Sequence, residues 1–450
     1  MNGKKHVKLF VALVLLVLAA HALLYYRGVY VPPKTVLHNL DISVPEAPVQ
    51  EFREKFAQGD GMVLVDRAHD NAFDERNFSG FFSSLASKGY RVEYVADGNL
   101  LEDKLAEASA FVSIQSVKAF QEQEIVVVQR FASRGGRILL IADPEKSHQA
   151  NSLATAFDLF FESGYLYDFG ENDGNFRYPY FSQFAGNALF KGVKKLAFYI
   201  ACSVAPNEKG IVFSSKGTKS TAIESRASFS PVALNGGVLA LCDQTFLSDQ
   251  FNESAGNKQF ASNLAQWLVS ANKRPSLRDF PYLFRGRVDI VYSPKFLRVA
   301  LALKGLLDGK GLEANVVAPG QGQGPASAAA NQIIVTDFGS KNLVGENAAA
   351  IGLTTEPALS VNGIELDHEG SGIVALVLGK EKNVLLFLAE KEAVMQTIIT
   401  HANQRSLDSF LLNDGLAVFA SKEAVQEKPQ PVSGAQPQQP PAAQPVPSSK

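Results

Sequence analysis

The chain has 450 residues, 46% of them hydrophobic, and a formal net charge of -2. That length exceeds one ordinary core, so two globular units with flanking segments are expected. Its Lys and Arg residues are dispersed and leave no basic surplus to neutralise a phosphate backbone, which argues against nucleic acid as a partner.

Residues 9–26 read LFVALVLLVLAAHALLYY, interrupted only by His21, and a helix of that length spans a hydrocarbon core. Lys4, Lys5 and Lys8 precede the run, whereas Arg27 and Lys34 follow it. The positive-inside bias therefore predicts a cytoplasmic N-terminus and a bulk exported beyond the cell membrane. Tyr25, Tyr26 and Tyr30 suit the outer headgroup belt. Ala20-His21-Ala22 has the small-x-small form of a signal-peptidase site. The apolar run continues through it, so residues 1–30 read as a single-pass signal anchor in preference to a cleaved signal peptide.

Pro32, Pro33, Pro45 and Pro48 break regular structure in residues 31–60, which read as a stalk. From Met62 the pattern changes. MVLVD is a short buried strand, Phe78, Phe81, Phe82 and Leu85 have helical spacing, and Gly89 stops that helix before YRVEYV. AFVSIQ at 110–115, a helix carrying Ile125, Val128 and Phe131, and RILLIAD after Gly135-Gly136 extend the alternation. Four such strands imply a largely parallel sheet covered on both faces. Residues 147–230 are less regular, with strand-like LAFYIA and GIVFSS. GGVLALCD is then a strand, and 257–269 an amphipathic helix with Phe260, Leu264, Trp267 and Leu268.

A Pro- and Arg-bearing joint at 273–285 separates the first unit, 61–272, from a second, 273–422. Strand RVDIVY, a helix over 296–307, EANVV and IIVTDF repeat the earlier βαβ layout, so the second unit reads as a smaller Rossmann-like α/β domain. Residues 318–331 look like a surface loop. LSVNGIEL and GIVALVLG resemble a hairpin, and NVLLFLAE and LAVFAS are further strands. Residues 423–450, ending PQQPPAAQPVPSSK, lack the apolar surface to offset ordering entropy and read as a disordered tail.

Three stretches of the first unit, MVLVDRAHDNAF, ASRGGRILLIADP and GGVLALCDQTFLSDQFNESAGNKQFASNLAQWL, resemble an uncharacterised membrane-attached family with a class I glutamine-amidotransferase-like fold. The resemblance covers roughly residues 61–272, and it implies binding or assembly, as on transporter accessory or cell-envelope proteins. The parent enzymes place a nucleophilic Cys on the turn after the strand matching RILLIAD, where oxyanion-binding amides face the attacked carbonyl. Here that turn carries Ala142, Asp143 and Pro144, and no His-x-Glu pair follows where a triad would need it.

Asp66, His69, Asp70 and Asn71 follow the first strand, at the carboxyl edge where open α/β sheets bind ligands. Asp143 and Asp243 end two further strands, so one edge could gather three carboxylates and an imidazole, a set that would suit a divalent metal. Equally, Asp66, His69 and Asn71 could cap and brace the loop. Ser116 has no G-x-S-x-G turn around it and reads as a helix cap, and Asp337 as a turn residue. Cys202 and Cys242 are the sole cysteines and would oxidise in an exported chain if close, or else serve as two small buried hydrophobes. The leading expectation is a membrane-anchored, extracytoplasmic, non-catalytic protein without a cofactor, binding a small ligand or an envelope or transporter protein. An extracytoplasmic hydrolase using the Asp/His edge and a structural envelope spacer are the alternatives.

Overall fold

A computed structural model describes residues 3–27, 61–224, 226–284, 286–318, 331–379 and 382–419. The expected stalk, Tyr30, most of the Gly-rich loop before Asn331 and the tail fall outside the described residues. The chain divides into two compact units, Met1–Lys55 and Phe56–Lys450. In the first, Gly3–Arg27 is one helix, α1, in which Lys4–Tyr25 has a mean hydropathy of 2.6 and none of its surface buried. It is long and apolar enough to cross a membrane.

The second unit holds two mixed α/β sheets. In the first sheet, β1 (Met62–Asp66), β2 (Arg91–Val95), β3 (Ala110–Ile114) and β4 (Arg137–Ala142) alternate with α2 (Ser79–Ser87), α3 (Leu101–Glu107) and α4 (Glu122–Ser133). After α5 (Ser147–Ala154) the chain makes short pairings that include β5 (Leu166–Tyr167), β6 (Gln183–Phe184), β7 (Gly210–Phe213) and β8 (Lys219–Ser220). It then closes with β9 (Val232–Asn235), β10 (Val238–Cys242) and α6 (Asn257–Val269). The strand order is β2-β1-β3-β4-β10-β9-β7-β6, parallel from β2 to β10 and antiparallel beyond.

Side chains alternate across each strand, so each sheet face has its own core. Val63 and Val65 point to the layer of Phe81 and Leu85 from α2 and Phe260 and Leu264 from α6. Met62 and Leu64 point to Leu101 and Leu105 of α3, Val128 and Phe131 of α4, and Leu153 of α5. Fully buried β1, β3 and β10 thus read as near-continuous apolar runs.

The second sheet comprises β11 (Val288–Tyr292), α7 (Leu297–Gly309), β12 (Ala314–Val317), β13 (Asn331–Thr336), α8 (Lys341–Ala350), β14 (Gly372–Leu378), β15 (Asn383–Ala389), α9 (Glu392–Asn403), β16 (Leu411–Asn413) and β17 (Leu416–Phe419). Its order, β12-β11-β13-β15-β14-β17-β16, is parallel through β15. Two expectations need correction. GIVALVLG pairs antiparallel with NVLLFLAE, while LSVNGIEL folds on itself as Ser360–Val361 against Ile364–Glu365. LAFYIA yields only the pair Leu196–Ala197, because Ile200 takes a φ of 61° that ends extended structure.

Candidate functional site

The strand order β2-β1-β3 reverses direction between β1 and β3, and the crevice above such a reversal is where open α/β sheets receive ligands. Asp66 ends β1 there, and Ser113 and Ile114 end β3. The chain fills this crevice with its own side chains. Asp66 Oδ1 accepts from the Ala68 amide at 3.1 Å and from His69 Nδ1 at 2.9 Å. Its Oδ2 accepts from Asn71 Nδ2 at 3.1 Å and from Ser113 Oγ at 2.8 Å. Asn71 Nδ2 also donates to the Ile114 carbonyl at 2.9 Å, which ties the loop across both strands.

His69 is 3% exposed and stacks on Phe120 with centroids 3.6 Å apart. Its Nε2 lies 3.2 Å from Glu124 Oε2, the N3 residue of the capping box that opens α4. Burial acts to lower the imidazole pKa, but the hydrogen bonds and charges of Asp66 and then Glu124 outweigh it and hold it above the ordinary histidine value. Asp70, at φ 50°, turns outward and pairs with Lys118 at 2.9 Å. It does not join the cluster.

Asp143 and Asp243 sit elsewhere on the edge. They follow Ala142 and Cys242, which are register partners on β4 and β10. Asp143 accepts from the Gln244 amide at 3.0 Å and Gln244 Nε2 at 2.7 Å, and its own amide donates to Gln115 Oε1 at 2.6 Å. Asp243 is fully buried and accepts from the amides of Tyr199 and Thr245. Burial, reinforced by the charge of Asp143, pushes its carboxyl well above the usual range against the pull of these amides. The expected single gathering of three carboxylates and an imidazole is therefore two clusters, linked through Gln115 at the end of β3. One strand, β3, lies between Asp66 at the end of β1 and Asp143 after β4. Among the described residues no group of three or more His, Cys, Asp or Glu side chains could hold a metal ion.

Cys202 and Cys242 are disulfide-bonded, with Cα atoms 5.2 Å apart and both residues buried. Ser116 is buried, and the cap of α4 is Gln121 instead. Asp337 accepts from Ser340 Oγ at 2.8 Å and lies 3.4 Å from Lys295 Nζ, beside the reversal of the second sheet.

Next to the filled crevice lies a cleft of about 310 Å³ between residues 72–78, after β1, and 244–251, after β10. Phe73, Phe78 and Phe251 supply apolar wall, and Asp74, Asn77 and Thr245 polar rim. Asp249 fastens its two sides, accepting from Ser79 Oγ and from the Gly80 amide at the start of α2. This volume falls in the range of small-ligand pockets. No single motif in the sequence marks it, because its walls come from segments some 170 residues apart.

Neither a family model nor a curated protein matches the chain. Among solved structures the chain is similar to the mmIFT52 N-terminal domain, at 12% identity over 47% of this chain and 98% of that one, with a TM-score of 0.39. It is similar to a putative ThuA-like protein from Bacteroides uniformis at 11% identity over 48% and 93%, with a TM-score of 0.33. PurLQS from Thermotoga maritima is similar at 12% identity over 47% and 98%, with a TM-score of 0.27. The fold described above stands on the chain's own strand order.

Proposed function

We propose that the chain is a membrane-anchored, extracytoplasmic binding protein whose first sheet serves recognition and not catalysis. The observation that carries this reading is the saturated crevice. Every oxygen of Asp66 and both ring nitrogens of His69 are engaged by neighbours, so neither is free to move a proton at a bound substrate. The turn after β4, with Ala142, Asp143 and Pro144, also offers no thiol or hydroxyl to attack a carbonyl. Recognition then falls to the adjoining cleft, and its occupant is a small ligand or a protruding segment of an envelope or transporter protein.

The disulfide supports an oxidising compartment, and the Lys4, Lys5 and Lys8 cluster before the apolar run of α1 supports a cytoplasmic N-terminus. A photo-crosslinking side chain in place of Arg76, which is exposed on the cleft rim, tests the reading in sealed cells. A discrete adduct is expected, and it should vanish when Ser248→Trp fills the cleft. An adduct pattern no different from one at exposed Lys341 would remove the binding role. Hydrolysis of glutamine by the purified chain, lost in Asp66→Asn, would overturn the non-catalytic assignment.

A further inference from the structure

Another cavity, of about 390 Å³, lies between the two sheets and shares no residue with the cleft beside α2. Asp103 and Glu107 reach it from α3, Tyr282 from the joint, and Lys310 and Arg405 from the second sheet. Spaces between packed α/β layers are frequent ligand sites, and this volume suits a small molecule. Arg405 marks it as more than a gap left by packing. It follows the end of α9 at a φ of 53°, a left-handed position that ordinarily belongs to Gly or Asn. Its side chain is nevertheless only 15% exposed, and its guanidinium pairs with Asp103 of the first sheet. Backbone strain of this kind persists where the surroundings enforce it, and ligand clamps are one such place.

The wall is charged but largely self-neutralised. Asp103 is paired with Arg405, Glu107 with Arg91, and Lys104 with Glu93 at 3.1 Å. Lys310, exposed at the rim, adds a cation, but it stands at the end of α7, where the helix dipole sets partial negative charge. Helix α9 ends at Asn403 on the same wall. Helix ends carry carbonyls beyond the reach of intrahelical donors. A carboxylate paired with one guanidinium also keeps lone pairs to spare. The cavity therefore offers an ion little excess of opposite charge, yet it offers hydroxyl groups many acceptors. Arg405 and Gln404 supply donors in return. Leu100, 47% exposed, with Pro281 and Tyr282, forms an apolar side too small to anchor a peptide through its side chains.

We infer that this cavity binds a neutral saccharide. A pyranose carries a flat face of C–H bonds that suits the Tyr282 ring, and hydroxyls at its edge. Adjacent hydroxyls match the paired atoms of the Asp103 and Glu107 carboxylates, the Gln404 amide and the Arg405 guanidinium. The ligand would touch both sheets at once.

Saturation-transfer NMR on the full chain, in a detergent without a sugar headgroup, tests this with maltose, cellobiose, lactose and N,N′-diacetylchitobiose at about 10 mM. At least one saccharide is expected to receive transfer. Gln404→Trp, at an exposed position whose new ring fills the cavity, should abolish it, and Tyr282→Leu should weaken binding about tenfold. If Gln404→Trp fails to fold, Asn403→Trp, also exposed on this wall, carries the same expectation. Ser248→Trp, which fills the cleft beside α2, should leave transfer unchanged, so the two sites fail or succeed separately. Absence of transfer to every saccharide overturns the inference, as does transfer that persists in the filled cavity or is lost in Ser248→Trp. Broadening of inorganic phosphate, or transfer to trialanine, without transfer to the sugars assigns the cavity to an anion or a peptide and overturns it too.

Discussion

With one ring nitrogen at Asp66 and the other at Glu124, His69 joins the loop after β1 to the start of α4. Its folded pKa lies above the ordinary value, so its stabilising contribution is complete below about pH 6.5 and is lost as pH rises through the folded value. The stability difference between wild type and His69→Gln, read from urea unfolding, should therefore be largest at mildly acidic pH and shrink toward alkaline pH. A difference that stays flat from pH 5 to 9 would mean that the imidazole is neutral in the fold. Part of this cluster was legible in the sequence, since Asp66, His69 and Asn71 share one short segment after a recognisable strand. Glu124 and Ser113 were not. They arrive from α4 and β3, and no local pattern of charge or period says that a distant helix cap will meet an imidazole.

At the level of elements, the disulfide ties Cys202, in the loop after Leu196–Ala197, to the end of β10, at a sequence separation of 40. That closure holds the least regular part of the first sheet onto its most regular strand. Cys202→Ala with Cys242→Ala should lower stability by about 3–4 kcal/mol. Hydrogen exchange should quicken through residues 160–230 before it does in β1, β3 or β4. Uniform acceleration across the sheet would show that the bond stabilises the whole body and not this excursion. The regular elements were readable because buried parallel strands and amphipathic helices carry strong periods, as MVLVD and the α6 segment do. The excursion was not, because its shape depends on Asp168 and Asp173 collecting donors from four separate segments. Helix α9 was missed although Met395, Ile398 and Ala402 have helical spacing, since its polar residues are as numerous as its apolar ones.

Across the folded body, the two sheets meet through charge and not through a shared apolar core. Arg134, in the turn after α4, forks onto Asp279, which is 1% exposed, and Lys273 Nζ donates to the Leu105 and Ala106 carbonyls in the last turn of α3 while lying 3.5 Å from Asp279. Asp279 also completes a capping box with Ser276, so the joint between the two sheets is itself folded. Farther out, Arg405 pairs with Asp103, and Arg278 with Asp408 and Asp414. Gly135 fits beneath the joint at φ 98°, where a Cβ would stand 2.6 Å from the Asn272 carbonyl. A buried, forked pair is costly to break because the remaining partner keeps its charge without its solvent. Arg134→Ala should therefore cost about 3–5 kcal/mol at the joint, and calorimetry should resolve two unfolding transitions where the wild type shows one. Gly135→Ala should act in the same direction through strain and steric conflict, without removing a charge. If both variants melt in one transition at the wild-type temperature, the coupling of the sheets lies elsewhere, and the segment 273–285 is a tether and not a lock.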